Sequence, residues 1–162
     1  MTITKLDISL RPTEISDLEF LFQFQLDEQG RYLAAFMPND SADKAAYIAK
    51  HTRLLNDPKI NNQTILIDSQ IIGSIATFEM DGNREITYWI DRNLWGKGLA
   101  TKALQVFLVT EPTRPIVGRV AYDNFSSQKV LEKCGFVRTG SDKGFASARQ
   151  KVIDEFIYKL SN

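Results

Sequence analysis

The chain has 162 residues, of which 43% are hydrophobic and 25% charged, as expected for a single folded domain over residues 1–162. The 20 Lys and Arg residues balance 20 Asp and Glu residues, and a formal net charge of zero argues against a nucleic-acid or anionic membrane partner. One cysteine, Cys134, excludes an intramolecular disulfide, and the sequence shows neither a secretory signal nor a membrane-length apolar run, so we expect a cytoplasmic protein.

Helix and strand patterns follow one another through the first third of the chain. Loose alternation of apolar residues predicts a strand at the start, and Ser16 and Asp17 are favourable helix caps. The predicted elements are a strand over residues 3–11, a helix to about Glu28, a loop from Gly30 to Asp40 and a helix from Ser41 to about Leu55.

Strand patterns then dominate, interrupted by two helices. The turn Asp81-Gly82-Asn83 predicts a hairpin, and Gly135 predicts a left-handed helix end. The predicted strands are 63–67, 71–80, 84–91, 115–122, 136–139 and 151–160, and the predicted helices are 98–109 and 124–134.

The resulting order, β-α-α-β-β-β-α-β-α-β-β, indicates an α+β fold with a mostly antiparallel sheet. A strand–helix–strand crossover through residues 84–122 requires one parallel pair of strands. Ligands tend to bind in the cleft at the ends of such strands.

The segment Trp95-Gly96-Lys97-Gly98-Leu99-Ala100-Thr101 lies between a predicted strand and a predicted helix. Glycines there allow positive φ and close approach of a ligand, and the helix start offers unpaired N–H groups to a phosphate. The spacing fits neither a Walker A loop nor a dinucleotide fingerprint. By itself the pattern also fits a plain tight connection.

Two longer segments resemble the GNAT acetyltransferase superfamily. Residues 85–104, which include the glycine turn, resemble its acetyl-CoA motif, and residues 124–136, Asn-Phe-Ser-Ser-Gln-Lys-Val-Leu-Glu-Lys-Cys-Gly-Phe, resemble its second motif. The opening Leu10-Arg11-Pro12-Thr13-Glu14 and the ending Asp154-Glu155-Phe156-Ile157-Tyr158-Lys159-Leu160 are similar to the branch of ribosomal-protein N-terminal acetyltransferases. The resemblance covers nearly the whole chain.

This resemblance implies a fold and a cofactor site. The implied fold has about seven strands and about four helices, and the sheet is splayed between the fourth and fifth strands. The implied contacts to acetyl-CoA come from Ile90, Leu94, Trp95, Gly96, Lys97, Gly98, Leu99, Ala100, Thr101, Asn124 and Ser127. Asn93 stands where the family has Gln or Arg, a departure that leaves the backbone cradle intact.

Two positions carry the predicted proton transfers. Many relatives place a tyrosine near the end of the second motif to protonate the leaving thiolate, but this chain has Leu131 there, so Ser127 or a water takes that role, or the thiolate leaves unassisted. Glu85 opens the strand that lines the cleft and is the predicted base, with Glu79 as the weaker alternative. A solvent-facing ion pair and a helix-surface hydroxyl are the plain alternatives for Glu85 and Ser127.

The predicted reaction is direct attack of a primary amine on acetyl-CoA in a ternary complex, without a metal ion. The acceptor is a protein N-terminus or a small-molecule amine, and a homodimer is a further possibility. The alternative is a catalytically weak module that binds or senses acyl-CoA, which the departures at Asn93 and Leu131 leave open. Residues 30–57 and 141–151 lie outside the cofactor motifs and are predicted to border the acceptor.

Overall fold

A seven-stranded mixed sheet runs through the computed structural model, which describes residues 7–162. Its strands are β1 (Ile8–Pro12), β2 (Asn61–Ile67), β3 (Gln70–Met80), β4 (Asn83–Ile90), β5 (Ile116–Ala121), β6 (Val137–Ala146) and β7 (Lys151–Leu160). The spatial order is β1-β2-β3-β4-β5-β7-β6, and only the β4–β5 pair is parallel. The predicted α+β class, with a mostly antiparallel sheet and one parallel pair, is confirmed.

The described residues contain five α-helices, one more than expected: α1 (Leu18–Phe24), α2 (Glu28–Ala34), α3 (Lys44–Leu55), α4 (Leu99–Thr110) and α5 (Phe125–Lys133). The prediction of a loop from Gly30 to Asp40 is wrong at its start, because α2 continues to Ala34, whereas residues 35–40 form a loop as predicted. The Asp27 side chain caps α2 by accepting a hydrogen bond from the Gly30 amide at 2.8 Å. Gly30 is needed for close packing rather than for a break, since a Cβ there would lie 2.8 Å from the Trp89 ring.

Other predicted bounds also differ from the structure: α1 ends at Phe24 and not near Glu28, and β2 begins at Asn61 and not at residue 63. Strand β1 begins at Ile8 within the described residues, whereas residues 3–6 of the predicted strand lie outside them. Helix α3 begins at Lys44, because Asp43 and not Ser41 caps it. Strand β6 extends to Ala146, well beyond the predicted end at residue 139, because it pairs with β7 along its whole length. The apolar pattern of the sequence is too short there to predict this pairing.

The main core lies between the sheet and helices α4 and α5. Leu104 and Phe107 of α4 are fully buried against Ile65, Ile75 and other inward residues of the central strands. This burial fixes α4 behind strand β4 and holds its N-terminus at the end of that strand. No helix within residues 7–162 combines the length and apolar character needed to span a membrane.

Strands β4 and β5 separate soon after they begin. Their parallel pairing joins residues 84–86 to residues 116–118, and β4 then continues to Ile90 while β5 continues to Ala121 beside β7. This divergence opens a cleft between the fourth and fifth strands, as predicted.

A buried carboxylate fastens the start of the helical region to the sheet. Asp17 is 2% exposed and accepts hydrogen bonds from the Arg11 guanidinium at 2.6 and 2.8 Å, from Thr64 at 2.9 Å and from the Glu14 amide at 2.8 Å. Burial by itself raises the pKa of Asp17, but the hydrogen bonds outweigh it and hold the pKa below its usual range.

Asp17→Asn should therefore destabilise the protein, and the loss should depend on pH. We expect about 2 kcal/mol near neutral pH, because the amide cannot accept all of these hydrogen bonds and leaves Arg11 without its charge partner. A group with a lowered folded-state pKa stabilises above its unfolded-state pKa, and this contribution is lost as pH falls through the folded-state value. Urea unfolding at neutral and acidic pH should show the difference between wild type and variant shrinking in acid.

The exposed pair of Lys44 and Glu19 provides the matched control. Its side chains are 54% and 50% exposed, so Glu19→Gln should change the free energy of unfolding by less than about 1 kcal/mol. Equal losses for the two variants, or a loss at Asp17 that does not change with pH, would contradict the buried-carboxylate explanation.

Candidate functional site

A cavity of about 500 Å³ occupies the cleft between the separated strands and the starts of α4 and α5. Backbone and side chains of β4, the glycine turn and α5 form most of its wall, and α2 closes one side. Its lining residues are Gly30, Leu33, Ala34, Tyr88, Trp89, Ile90, Leu94, Trp95, Gly96, Gly98, Leu99, Ala100, Thr101, Asn124, Ser126, Ser127, Lys129, Val130 and Lys133.

The glycine turn presents an open helix N-terminus to this cavity. Gly96 and Gly98 have φ of 80° and 74°, a region that favours glycine, and no atom lies within 4 Å of where a Cβ would be at either position. Gly98 is the N-cap of α4 and supplies no side-chain cap. The first amides of α4 therefore face open space with the positive end of the helix dipole behind them, an arrangement that binds anions such as phosphate.

The structure brings the predicted cofactor residues together. All of them line the cavity except Lys97, which is exposed. The Trp95 indole N–H donates to the Ile90 carbonyl at 2.9 Å and so joins the end of β4 to the turn. Asn124 caps α5 through a hydrogen bond from the Ser127 amide, and its side-chain amide reaches the Leu33 carbonyl on α2.

Backbone groups of β4 face the cleft where β5 has moved away. The Asp91 amide donates to Ile72 of β3 at 2.8 Å. Because amides alternate in direction along a strand, those of Tyr88 and Ile90 point away from β3 and into the cleft. A ligand lying in the cleft can pair with this free edge as a strand would.

Glu85 lies at the closed end of the cleft and does not line the cavity. It is 3% exposed, and its carboxylate oxygens lie 3.2 and 3.4 Å from Nε of Arg119, which also contacts Glu155 at 3.1 Å. Burial raises the pKa of Glu85, and the Arg119 charge only partly opposes this. A carboxyl with a raised pKa is suited to proton transfer near neutral pH, but its charge is also balanced structurally by Arg119.

The second predicted catalytic residue, Ser127, faces the cavity from α5. Its hydroxyl oxygen lies 2.7 Å from the Tyr88 hydroxyl oxygen, which reaches across the cleft from β4. Leu131 is 2% exposed and packs over Gly118 in the core, so it offers nothing to the cavity.

Several cavity residues had no role assigned from the sequence. Tyr88 flanks the glycine turn within the recognised motif, but its hydroxyl was given no role, although it lies two residues before Ile90 and therefore on the same face of β4. Lys129 and Lys133 were also missed; their spacing of four residues on α5 was the available signal that they share one helix face. Within residues 7–162, no cluster of His, Cys, Asp or Glu has the arrangement of a metal site.

The segment after α2 is fastened to the β6–β7 turn. The Ala148 amide donates to the Ala35 carbonyl at 3.0 Å, and Ala35 has a φ of 66° within a tight turn closed by the Phe36 amide and the Ala34 carbonyl at 2.7 Å. Arg149 binds Asp123 through two hydrogen bonds of 2.7 Å. These contacts bring the two segments that were predicted to border the acceptor against each other.

The Arg31 and Tyr32 side chains are already used within this region. Arg31 donates to Gln25 and Ser41, and Tyr32 lies under the Arg149 guanidinium at 4.2 Å from the ring centre. Arg31 is held by these hydrogen bonds, whereas Tyr32 stays 48% exposed, and neither residue lines the cavity.

Comparison with known proteins agrees with this geometry. Residues 7–137 match the family model described as Acetyltransferase (GNAT) domain. An uncharacterized N-acetyltransferase, p20, from Bacillus licheniformis is 26% identical over 163 residues, which covers 94% of this chain and 92% of that protein.

Solved structures show the same fold. RimL, a ribosomal L7/L12 alpha-N-protein acetyltransferase in complex with coenzyme A, has a TM-score of 0.80 at 17% identity, covering 99% of this chain and 96% of that chain. Spermidine N-acetyltransferase from Vibrio cholerae, in complex with CoA and spermine, has a TM-score of 0.76 at 20% identity, covering 94% and 95%. RimL belongs to the ribosomal-protein acetyltransferase branch, which the opening and the ending of this chain also resemble. At 17% and 20% identity, the structural similarity shows a shared fold.

The family match spans most of the chain and includes the glycine turn, strand β4 and the α5 motif whose geometry is described above. The chain therefore belongs to the GNAT acetyltransferase family.

Proposed function

We propose that this protein transfers an acetyl group from acetyl-CoA to a primary amine by direct attack in a ternary complex. The observation that carries the proposal is the open N-terminus of α4, which faces a cavity continuous with the cleft between β4 and β5. One end of this cavity suits a phosphate group, and the other suits an extended chain that pairs with a strand edge.

Acetyl-CoA would lie in this cavity with its pyrophosphate at α4 and its pantetheine arm along β4. Its pyrophosphate would rest on the amides at the start of α4, and Lys129 and Lys133 would add positive charge on the neighbouring helix. The pantetheine amides would pair with the free edge of β4, and the Tyr88 amide would stabilise the oxyanion that forms on the thioester carbonyl oxygen.

Proton transfer is assigned to the two residues predicted from the sequence. Glu85 would accept the proton that the amine nitrogen loses, through water, and Ser127 would donate a hydrogen bond to the leaving sulfur. A lysine-like amine has a pKa of about 10.4 and an α-amino group about 8, so a base contributes more with the first kind of acceptor.

The acceptor is a primary amine, on a protein N-terminus or a small molecule. RimL, by its name, acts on a ribosomal protein, and the spermidine enzyme was solved with spermine. Both kinds of acceptor therefore belong in a substrate panel. A single domain over residues 1–162, a cytoplasmic location and a homodimer stay predictions.

The second candidate function is an acyl-CoA-binding module without turnover. Leu131 favours it, because that side chain lies in the core where many relatives supply a proton donor. Both functions require acetyl-CoA binding, so binding alone does not distinguish them.

A thiol-release assay over a panel of amines tests the proposal. We expect acetyl-CoA to bind and free CoA thiol to appear only when a suitable amine is present, with mass spectrometry showing one acetyl group on that amine. Tight binding of acetyl-CoA with no thiol release from any polyamine, peptide or amino-sugar acceptor would support the binding module instead.

A further inference from the structure

Two hydroxyl groups meet across the cleft, and only that of Ser127 was given a role from the sequence. Tyr88 reaches in from β4 and Ser127 from α5, and their oxygen atoms lie 2.7 Å apart. Both residues line the cavity. The pair therefore bridges the two elements between which the thioester of the donor would lie.

The phenol in the cleft is that of Tyr88 on β4, because position 131 on α5 is occupied by a leucine that packs in the core. A Cβ on Gly118 would lie 3.1 Å from Leu131, which shows how closely this leucine packs on β5. Exchanging Leu131 for a proton donor would disrupt that packing. A tyrosine on β4 places a phenol in the cleft without changing the core.

The direction of the hydrogen bond follows from the acidity of the two groups. The geometry allows either hydroxyl to donate, and the Tyr88 hydroxyl also lies 3.4 Å from the Ser127 carbonyl oxygen. A phenol is far more acidic than an aliphatic hydroxyl and is the better donor, which favours Tyr88 as the donor and the Ser127 hydroxyl oxygen as the nearer acceptor. Burial raises the pKa of Tyr88 to about 12, although the Ser127 bond opposes this, so the phenol keeps its proton at neutral pH. The Ser127 proton is then directed away from Tyr88.

We propose that Tyr88 is a positioning residue that holds the Ser127 hydroxyl with its proton directed at the leaving sulfur of acetyl-CoA. Without this partner, the Ser127 hydroxyl is free to turn toward other acceptors, such as the carbonyls of Asp123 and Asn124 just before α5, which would turn the proton out of the cleft. The inference rests on the proposed acetyltransferase function and adds a residue to it.

The chemical step balances without an added reagent. The amine nitrogen bonds to the thioester carbon, and the C–S bond then breaks with its electron pair going to sulfur. Ser127 donates a hydrogen bond to the thiolate, while Tyr88 keeps its own proton. The nitrogen loses its proton to the base and on to solvent, and CoA takes one from solvent as it leaves.

Tyr88→Phe, Ser127→Ala and the double variant test this arrangement by steady-state kinetics. We expect Tyr88→Phe to lower kcat about 5- to 10-fold, the worth of one hydrogen bond, with little change in KM for acetyl-CoA. Ser127→Ala should lower kcat further, and the double variant should be no slower than Ser127→Ala, because Tyr88 acts only through Ser127. Ser127→Thr keeps a hydroxyl and should retain the sensitivity to Tyr88→Phe.

Tyr158→Phe is the matched control, since it also removes a tyrosine hydroxyl that donates to a side chain, Glu132, but lies in the core away from the cavity. It should leave kcat unchanged. An unchanged kcat in Tyr88→Phe, a rise in KM alone, or independent and multiplicative losses in the double variant would overturn the inference while leaving the acetyltransferase function in place. A folded wild-type protein that releases no thiol with any amine would overturn both.

Discussion

Gly98→Val is expected to weaken acetyl-CoA binding by about 100-fold while leaving a folded protein. A side chain at this position enters the open space in front of the first amides of α4, where the pyrophosphate would rest. Losing two charge-assisted hydrogen bonds of about 1.5 kcal/mol each accounts for about 3 kcal/mol, and tenfold in affinity corresponds to about 1.4 kcal/mol. Isothermal titration with acetyl-CoA measures the change directly.

The backbone at Gly98 makes a control for strain necessary. Its φ of 74° costs a β-branched residue about 1–2 kcal/mol in folding, whatever the ligand does. Gly82 has a φ of 81°, an equally open Cβ position and a place in the β3–β4 turn remote from the cavity. Gly82→Val should lose similar stability in urea and keep the wild-type affinity. Equal affinities for the two variants would refute the anion site at α4.

The second large effect is expected from Glu85→Gln, which should lower kcat about 100-fold or more near neutral pH if Glu85 is the base. Because the pKa of Glu85 is raised, the wild-type rate should climb as pH rises through that value and the carboxylate forms. At still higher pH the amine loses its proton to solvent without help, so the difference between wild type and variant should narrow. A pH profile of kcat with one amine acceptor measures both trends.

Glu155 and Glu79 provide controls that distinguish loss of the Glu85 carboxylate from other effects on kcat. Glu155 binds the same Arg119 at 3.1 Å, so Glu155→Gln disturbs the ion-pair network while leaving the Glu85 carboxylate in place. Its effect on kcat should be much smaller than that of Glu85→Gln. Glu79 is exposed on β3, and a loss confined to Glu79→Gln would move the role of base to that residue. A Glu85→Gln profile parallel to that of the wild type would remove Glu85 from the mechanism.

Except for Lys97, the residues predicted for the cofactor side line one cavity in the structure, and the signals that identified them are local in sequence. The glycines, the helix start and the preceding strand lie within a short segment, and positive φ at Gly96 and Gly98 needs only that segment to be recognised. The crossover through α4 then required β4 and β5 to be parallel, and the structure has this pair.

Helix α2 was not predicted because tertiary contacts, and not its local sequence, stabilise it. Gly30 weakens a helix in isolation, and the sequence alone favours a break there. In the folded protein this glycine lets α2 approach the Trp89 ring, and Asp27 caps the helix. Packing against β4 therefore outweighs the local preference.

The sequence by itself determined the family motifs, the order of the strands and the glycine turn, because each depends on residues close together in the chain. Only the tertiary structure decided which proton-carrying groups meet. Glu85 pairs with Arg119 across 34 residues, and Tyr88 meets Ser127 across 39. Such contacts depend on where β4 and β5 separate and on how α5 packs over them. No periodicity or local spacing encodes those distances, so the partners of Glu85 and Ser127 became visible only once the fold had assembled the cleft.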